Sequence, residues 1–176
     1  MKFKKFNYKI VNSTNNTAIR IINKTNYKFG MITAISQKSG RGQYGKKWIS
    51  FKGNLFVSFF FKIDNQNLSL KNFTKLNCEL IKKLLSNYYK KNISIKPPND
   101  LLIKGKKICG ILQESVFKNG QKYFIIGIGI NLVKSPYIKD YPTTNLYELI
   151  KKKIDKNIFQ NKLKSMFEKN LIKILK

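Results

Sequence analysis

The chain contains no histidine and only two cysteines among its 176 residues. Structural zinc sites are built mainly from these two residue types, and Cys78 and Cys109 stand far apart in no metal-ligand spacing. The composition therefore argues against a zinc site and predicts two buried thiols in a reducing compartment. The sequence also lacks a signal-peptide core and any apolar run long enough to span a membrane. We expect a cytoplasmic protein.

Acidic residues are scarce as well, with 8 Asp and Glu against 36 Lys and Arg and a formal net charge of +28. Such an excess is typical of proteins that bind nucleic acids or anionic surfaces. The lysines are spread along the whole chain among many Asn, Ile and Phe residues, a composition that an A/T-rich coding sequence favours. The charge therefore predicts attraction to polyanions at low salt but carries little information about a specific function.

Length and apolar periodicity predict a single domain over residues 1–176. The predicted class is α+β, with a mixed, largely antiparallel sheet and flanking helices. The patterns predict strands near residues 1–12, 31–36, 55–61 and 123–130, a hairpin over 101–112 and helices near 13–26 and 70–89. They also predict a helical tail within 144–176 made of two helices, the last over 158–176.

The run Ser39–Trp48 holds the only tryptophan and one of only two arginines, Arg20 being the other. An arginine kept where nearly all other cations are lysine indicates a need for the planar, bidentate guanidinium. Three glycines in the run allow backbone N–H groups to approach a bound anion. We therefore expect an anion-binding loop.

This loop also matches three nucleotide-binding motifs by accident. Gly40, Gly42 and Gly45 spell the dinucleotide motif G-x-G-x-x-G, and residues 40–46 spell most of a Walker A loop. Both motifs require a helix directly after the glycines, whereas the aromatic-rich run at 55–61 predicts a strand. A protein-kinase glycine loop requires a histidine-containing catalytic loop, which this chain lacks. The context excludes all three.

Four segments in a fixed order resemble the biotin–protein ligases over about residues 8–135. The segments are Ser13-Thr14-Asn15, Gln37 with Gly40 to Trp48, Lys96 to Asp100 with Lys107 to Glu114, and Gly127 to Asn131. The resemblance implies the fold that these ligases share with class II aminoacyl-tRNA synthetases. It also implies a reaction in which biotin and ATP form biotinyl-5′-AMP and biotin then passes to a lysine of the biotin carboxyl carrier protein of acetyl-CoA carboxylase.

The resemblance further implies roles for single residues. Arg41 and Lys107 are the expected catalytic cations, since carboxylate and phosphate charges must be neutralised as they meet. The expected biotin-binding residues are Ser13, Thr14, Asn15, Gln37, Arg41, Gly42, Gln43, Lys107 and Gly110. The expected ATP-binding residues are Arg41, Trp48, Asn99, Asp100 and Asn131, with Asp100 as a ligand of Mg²⁺.

Each of these residues has a plainer interpretation when it is taken alone. Ser13 and Thr14 are common helix caps, Asn99-Asp100 after two prolines is a common turn, and a lone tryptophan is most often a core residue. The combination of segments favours the site. Two positions depart from the family pattern, because Gln43 stands where a basic residue is usual and Pro97 where tryptophan is usual.

Some members of the family carry an N-terminal helix-turn-helix or a C-terminal SH3-like barrel, and neither is expected here. We therefore expect no specific DNA binding, no membrane association, and a monomer or homodimer. Two rival functions stay open. One is a lipoate or octanoate ligase or transferase on the same fold, and the other is a non-enzymatic nucleic-acid-binding protein.

Overall fold

The computed structural model describes residues 2–63 and 70–174, with side chains over 2–63 and 73–171. Nine strands and four α-helices lie in these parts of the chain. They are β1 Lys4–Val11, α1 Thr14–Lys24, β2 Phe29–Gln37, β3 Gly40–Arg41, β4 Lys47–Trp48, β5 Leu55–Ile63, α2 Leu70–Ser86, β6 Ile93–Lys96, β7 Asp100–Ile103, β8 Lys106–Lys118, β9 Gln121–Ile130, α3 Leu146–Ile150 and α4 Lys156–Ile174.

Seven of the strands form one sheet in the order β1-β2-β5-β9-β8-β7-β6. Strands β1 and β2 run parallel, and the other neighbouring pairs of this sheet run antiparallel. The short strands β3 and β4 pair separately and frame the glycine-rich loop. The mixed, largely antiparallel sheet with flanking helices confirms the predicted fold class.

The sheet buries both of its faces, as the run of phenylalanines in β5 shows. Phe59 stacks on Phe167 of α4 with 4.4 Å between ring centroids, and Phe61 packs against Phe73 of α2 at 5.6 Å. Phe60 points to the opposite face and packs in the cluster beneath α1. Because successive side chains of a strand alternate between faces, a strand buried on both sides is apolar throughout.

The hairpin between β7 and β8 is as predicted. Lys104 and Gly105 form its two-residue turn, both with positive φ, at 51° and 73°. Positive φ at both central positions is the geometry that matches the twist of a tight hairpin.

The C-terminal helix α4, Lys156–Ile174, begins two residues before the predicted start at Ile158. Its start is determined by Asp155, whose carboxylate accepts hydrogen bonds from the backbone N–H groups of Asn157 at 2.8 Å and Ile158 at 3.0 Å. An aspartate in this position satisfies otherwise unpaired donors of the first turn. Residues 175 and 176 of the predicted tail lie outside the described residues.

Both cysteines are buried and unpaired, as predicted. Burial, with a smaller contribution from the nearby Asp100 carboxylate, raises the pKa of the Cys78 thiol to about 11. The thiol therefore stays protonated at neutral pH. Within residues 2–63 and 70–174, none of the helices has the length and apolar character needed to cross a bilayer.

The β2–β5 pairing gives a test of the fold. Gly30 lies opposite Phe60, and a Cβ at Gly30 would come within 2.1 Å of Phe60 Cε1. We expect Gly30→Ala to lower the free energy of unfolding by about 1–3 kcal/mol, because the added methyl overpacks the core. Urea denaturation measures this, with Ser94→Ala on the exposed side of β6 as the control. A Gly30→Ala protein as stable as the control would contradict the packing.

Candidate functional site

A cleft of about 660 Å³ opens on the face of the sheet that α1 partly covers. Its walls are the N-terminus of α1, the β3–β4 loop, the β6–β7 turn and the segment 138–141, and its floor is formed by β8 and β9. All but one of the predicted site residues line it. These residues are Ser13, Thr14, Asn15, Gln37, Arg41, Gly42, Gln43, Trp48, Asn99, Asp100, Lys107 and Gly110.

One end of the cleft is polar and uncharged. Gln37 accepts two hydrogen bonds at Oε1, from Thr14 N at 2.8 Å and from Thr14 Oγ1 at 3.1 Å. Ser13 occupies the N-cap position of α1, but its side chain makes no capping hydrogen bond although the residue is buried. The plainer interpretation of Ser13 as a side-chain helix cap is therefore not what the geometry shows.

Asn15 lies beside this polar end and is held by the sheet. Its Oδ1 accepts from Ser58 Oγ at 2.5 Å, and its Nδ2 donates to Glu114 Oε2 at 2.7 Å and to the carbonyl of Leu112 at 3.3 Å. A Cβ at Gly127 would come within 2.2 Å of Asn15 Oδ1, so only glycine fits below it. Both amide hydrogens of Asn15 are therefore engaged inside the protein.

Where Trp48 packs on it, the floor of the cleft is backbone without side chains. Gly110 of β8 and Gly129 of β9 are partners in the sheet register. Cβ atoms at these positions would come within 2.7 Å of Trp48 Cζ3 and 2.4 Å of Trp48 Cε2. The indole thus rests on two glycines, and it is only half-buried, so part of it faces the cleft. Trp48 is therefore a flat surface on the wall of the cleft and not a core residue.

The other end of the cleft is cationic. Lys107 Nζ lies 2.9 Å from Oδ1 of the buried Asp100 and forms an ion pair with it. The geometry of this contact is not that of a hydrogen bond. The phenol of Tyr141 donates to the other oxygen, Oδ2, at 2.6 Å. Desolvation, together with this hydrogen bond, raises the pKa of the Tyr141 phenol above its usual value, so the group stays a donor.

Tyr141 was not predicted from the sequence, because it lies in an irregular segment without periodicity or motif. The backbone of Lys107 holds that segment in place, since its N–H donates to the carbonyl of Pro142 at 2.8 Å and its carbonyl accepts from Thr144 N at 2.9 Å. The pairing of a strand with a distant loop has no local signal. Only a chain folded this way brings Tyr141 to Asp100.

Asn131 is the predicted site residue that does not line the cleft. It is buried beyond the end of β9, where its Nδ2 donates to the carbonyl of Thr144 at 3.2 Å. Its backbone N–H donates to Ile108 at 2.9 Å, and its carbonyl accepts from Leu146 N at 3.0 Å. Asn131 thus anchors the chain that follows β9.

Asn99 lines the cleft but also has a structural role. Its Nδ2 donates to the carbonyl of Ile111 at 2.7 Å, and its own carbonyl accepts from Ile111 N at 3.0 Å. These bonds fix the β6–β7 turn against β8.

Positive charge dominates the lining of the cleft. Six cations and two carboxylates line it: Arg41, Lys46, Lys47, Lys96, Lys107 and Lys139 against Asp100 and Asp140. A concave site lined by one sign of charge raises the local concentration of oppositely charged ligands. The cleft therefore suits a polyanion such as a nucleoside triphosphate.

The predicted Mg²⁺ ligand fits only as part of a shared site. Among the described residues, no three His, Cys, Asp or Glu side chains cluster as a metal site would require. Asp100 is a buried carboxylate whose two oxygens already contact Lys107 and Tyr141. Since Mg²⁺ is often held by one or two carboxylates together with substrate phosphates, Asp100 suits a single protein ligand of a phosphate-bound ion.

A family model described as the biotin/lipoate A/B protein ligase family matches residues 8–131. The chain belongs to this family. The match includes the polar end of the cleft, the glycine-rich loop and both glycine-bearing strands of the floor. The segment that carries Tyr141 lies outside it.

Comparisons with single proteins agree with the family. The bifunctional ligase/repressor BirA of Bacillus subtilis (strain 168) is 30% identical over 155 residues, which are 84% of this chain and 47% of that relative. The chain thus spans less than half the length of this curated relative.

Solved structures give the same result. The biotin protein ligase from Aquifex aeolicus in complex with biotin and ATP matches with a TM-score of 0.79 and 27% identity, covering 98% of this chain and 72% of the other. P. falciparum LipL1 in complex with lipoate matches with a TM-score of 0.60 and 13% identity, over 95% of this chain and 63% of the other. The second likeness concerns the fold alone.

The single tryptophan makes the floor of the cleft testable. We expect Gly129→Ala to displace the Trp48 indole, because no space exists for the added methyl, and thereby to shift the tryptophan emission spectrum. Fluorescence excited selectively at tryptophan measures the shift, with Ser115→Ala farther along β8 as the control. Identical emission from the two variants would show that the indole does not rest on Gly129.

Proposed function

We propose that this chain is an ATP-dependent biotin–[biotin carboxyl carrier protein] ligase. It activates biotin as biotinyl-5′-AMP and transfers the biotin to a lysine of a carrier protein. The observation that carries the proposal is one cleft with an uncharged polar end at Ser13 and Thr14 and a cationic end at Lys107. The Aquifex aeolicus relative, whose structure contains biotin and ATP, supports it.

In the first step, a biotin carboxylate oxygen attacks the α-phosphate of ATP. An acyl–phosphate bond forms, the bond between the α- and β-phosphates breaks, and pyrophosphate leaves. Arg41 and Lys107 reduce the repulsion between the two anionic reactants, and the cations at that end of the cleft stabilise the departing charge. Holding both reactants in one cleft further raises the reaction rate through proximity and orientation.

In the second step, the amine of a carrier lysine attacks the acyl carbon of the adenylate. An amide bond forms, AMP leaves, and the amine loses its proton. The nucleophiles of both steps, a carboxylate and an amine, belong to the substrates. The chain itself therefore needs no nucleophile, which agrees with a protein that has no histidine.

The proposal of biotin over lipoate is based on the polar end of the cleft. The family includes both kinds of ligase, so membership alone does not distinguish them. The ureido ring of biotin carries N–H donors and a carbonyl acceptor, and the hydroxyls of Ser13 and Thr14 can pair with them. The Thr14 hydroxyl already donates to Gln37 and can only accept from a ligand. A linear acyl chain offers the buried Ser13 hydroxyl no partner, and a site built for hydrogen bonds discriminates strongly against such a ligand.

We further propose that Asp100 contributes to the binding of Mg²⁺ carried by the ATP phosphates, and that Trp48 provides a flat surface for adenine. The partner is a biotin carboxyl carrier domain, such as that of acetyl-CoA carboxylase, in the cytoplasm where ATP is available. Specific DNA binding is not part of the proposal.

The test of this function is covalent labelling of a carrier domain. We expect the purified chain to attach biotin to the carrier lysine only when ATP and Mg²⁺ are present, with a mass increase of the carrier as the readout. Lipoate in place of biotin, and a carrier whose target lysine is replaced by arginine, are the controls. Equal labelling with lipoate would contradict the choice of biotin, and no labelling with either acid would contradict the ligase.

The guanidinium of Arg41 gives a second test, with a matched control on the same chain. We expect Arg41→Lys to slow adenylate formation by roughly tenfold or more, because an ammonium cannot make the paired hydrogen bonds of a guanidinium. Biotin-dependent exchange of pyrophosphate into ATP measures the rate. Arg20→Lys, at an exposed position of α1, should leave it unchanged. Equal rates for the two variants would remove Arg41 from the mechanism.

A further inference from the structure

A chain of contacts runs from the buried sheet to the glycine-rich loop. It begins at Ser58 in the middle of β5, passes through Asn15 at the start of α1, and reaches Glu114 of β8. Glu114 Oε2 then lies 2.5 Å from Arg41 Nη2 on the loop. A single carboxylate oxygen thus receives one donor from the body of the protein and one from the loop.

The inner part of this series of contacts is rigid. Ser58 and Asn15 are 0% and 2% exposed, and Gly127 leaves no space for Asn15 to move toward the sheet. Glu114 itself pairs in the register with Ile125 of the central strand β9. The backbone of Glu114 is therefore fixed by the sheet and its carboxylate is held by the buried Asn15, whereas Arg41 belongs to a two-residue strand at the edge of a loop.

The contact does not consume Arg41. Only Nη2 contacts Glu114, and a guanidinium carries several further N–H donors in one plane. Arg41 also lines the cleft, so these remaining donors are available to an anion bound there under the proposed function. Among the described residues, Glu114 is the only acidic side chain in an ion pair with Arg41.

We propose that Glu114 is a positioning residue that orients the Arg41 guanidinium for the anionic substrate before the substrate arrives. A long side chain on a glycine-rich loop otherwise samples many rotamers, and a group oriented in advance loses less freedom when the ligand binds. The part of this inference that concerns the reaction rests on the function proposed above. The part that concerns the orientation of Arg41 does not.

Glu114 is itself an anion beside a cleft proposed to bind anions. Replacing it therefore changes both the orientation of Arg41 and the repulsion that the substrate experiences. Glu114→Gln keeps the size of the side chain but removes the charge that holds Arg41. The disordered guanidinium lowers kcat and weakens substrate binding, while the loss of a repulsive charge strengthens binding. The two effects on the KM values for ATP and biotin oppose each other, and we expect little net change in KM. Loss of folded protein alone would also lower the apparent kcat at unchanged KM, so the order of the Arg41 side chain and the thermal stability of the variant identify the positioning role.

The first experiment needs no substrate. The chain has two arginines, so the nitrogen-15 spectrum of arginine Nε–H groups contains two signals, and the exposed Arg20 serves as an internal reference. We expect the Arg41 side chain to be more ordered than that of Arg20 in the unmodified protein. In Glu114→Gln and in Glu114→Ala, its order should fall to the level of Arg20. Arg41 as mobile as Arg20 at the start, or still ordered in both variants, would overturn the proposal.

The second experiment measures biotin-dependent pyrophosphate exchange. We expect kcat of Glu114→Gln to fall by about tenfold or more, since a misplacement of about 1 Å can cost up to about a hundredfold, with little change in KM. Glu168→Gln is the matched control, because Glu168 is a similarly buried carboxylate paired with Lys164 far from the cleft. An unchanged kcat despite a mobile Arg41, or a rise in KM with kcat intact, would overturn the positioning role.

The two experiments keep the two proposals apart. If the unmodified protein shows no biotin-dependent exchange, the proposed function is contradicted, and the spectra still decide whether Glu114 holds Arg41. Thermal unfolding of each variant, followed by circular dichroism, confirms that the compared proteins are folded.

Discussion

The cleft depends on the absence of side chains at three positions of two paired strands. Gly110, Gly127 and Gly129 leave the sheet bare where Asn15 and Trp48 approach it within the space that a methyl group would need. Interiors are packed closely enough that one added carbon there would displace its neighbour. The walls of the cleft are thus positioned by contact with backbone, which is more rigid than contact with flexible side chains.

Much of the fold was predictable because its signals are local. The alternation of apolar residues in β1, the aromatic run of β5 and the Lys104-Gly105 turn each follow from a few neighbouring residues. The start of α4 two residues before Ile158 was not predicted, since the capping role of Asp155 was not considered. The order of strands in the sheet has no comparable local signal, because it depends on pairings between distant segments such as β5 and β9.

The site was predictable to the extent that it uses motifs. Arginine in a lysine-rich chain, with three glycines near it, drew attention to Arg41, and the family resemblance implied Gly110. The contacts that other site residues make were not predictable. That Tyr141 meets Asp100 across 41 positions, and that Asn131 turns away from the cleft, are results of tertiary packing.

The backbone of Lys107 has a consequence for motion in the site. Its N–H and carbonyl hold Pro142 and Thr144, while its ammonium holds Asp100, which in turn holds the phenol of Tyr141. These contacts close a ring between β8 and the segment beyond β9. The strand and the segment are therefore mechanically coupled, and a shift of either is transmitted to the Lys107 ammonium in the cleft.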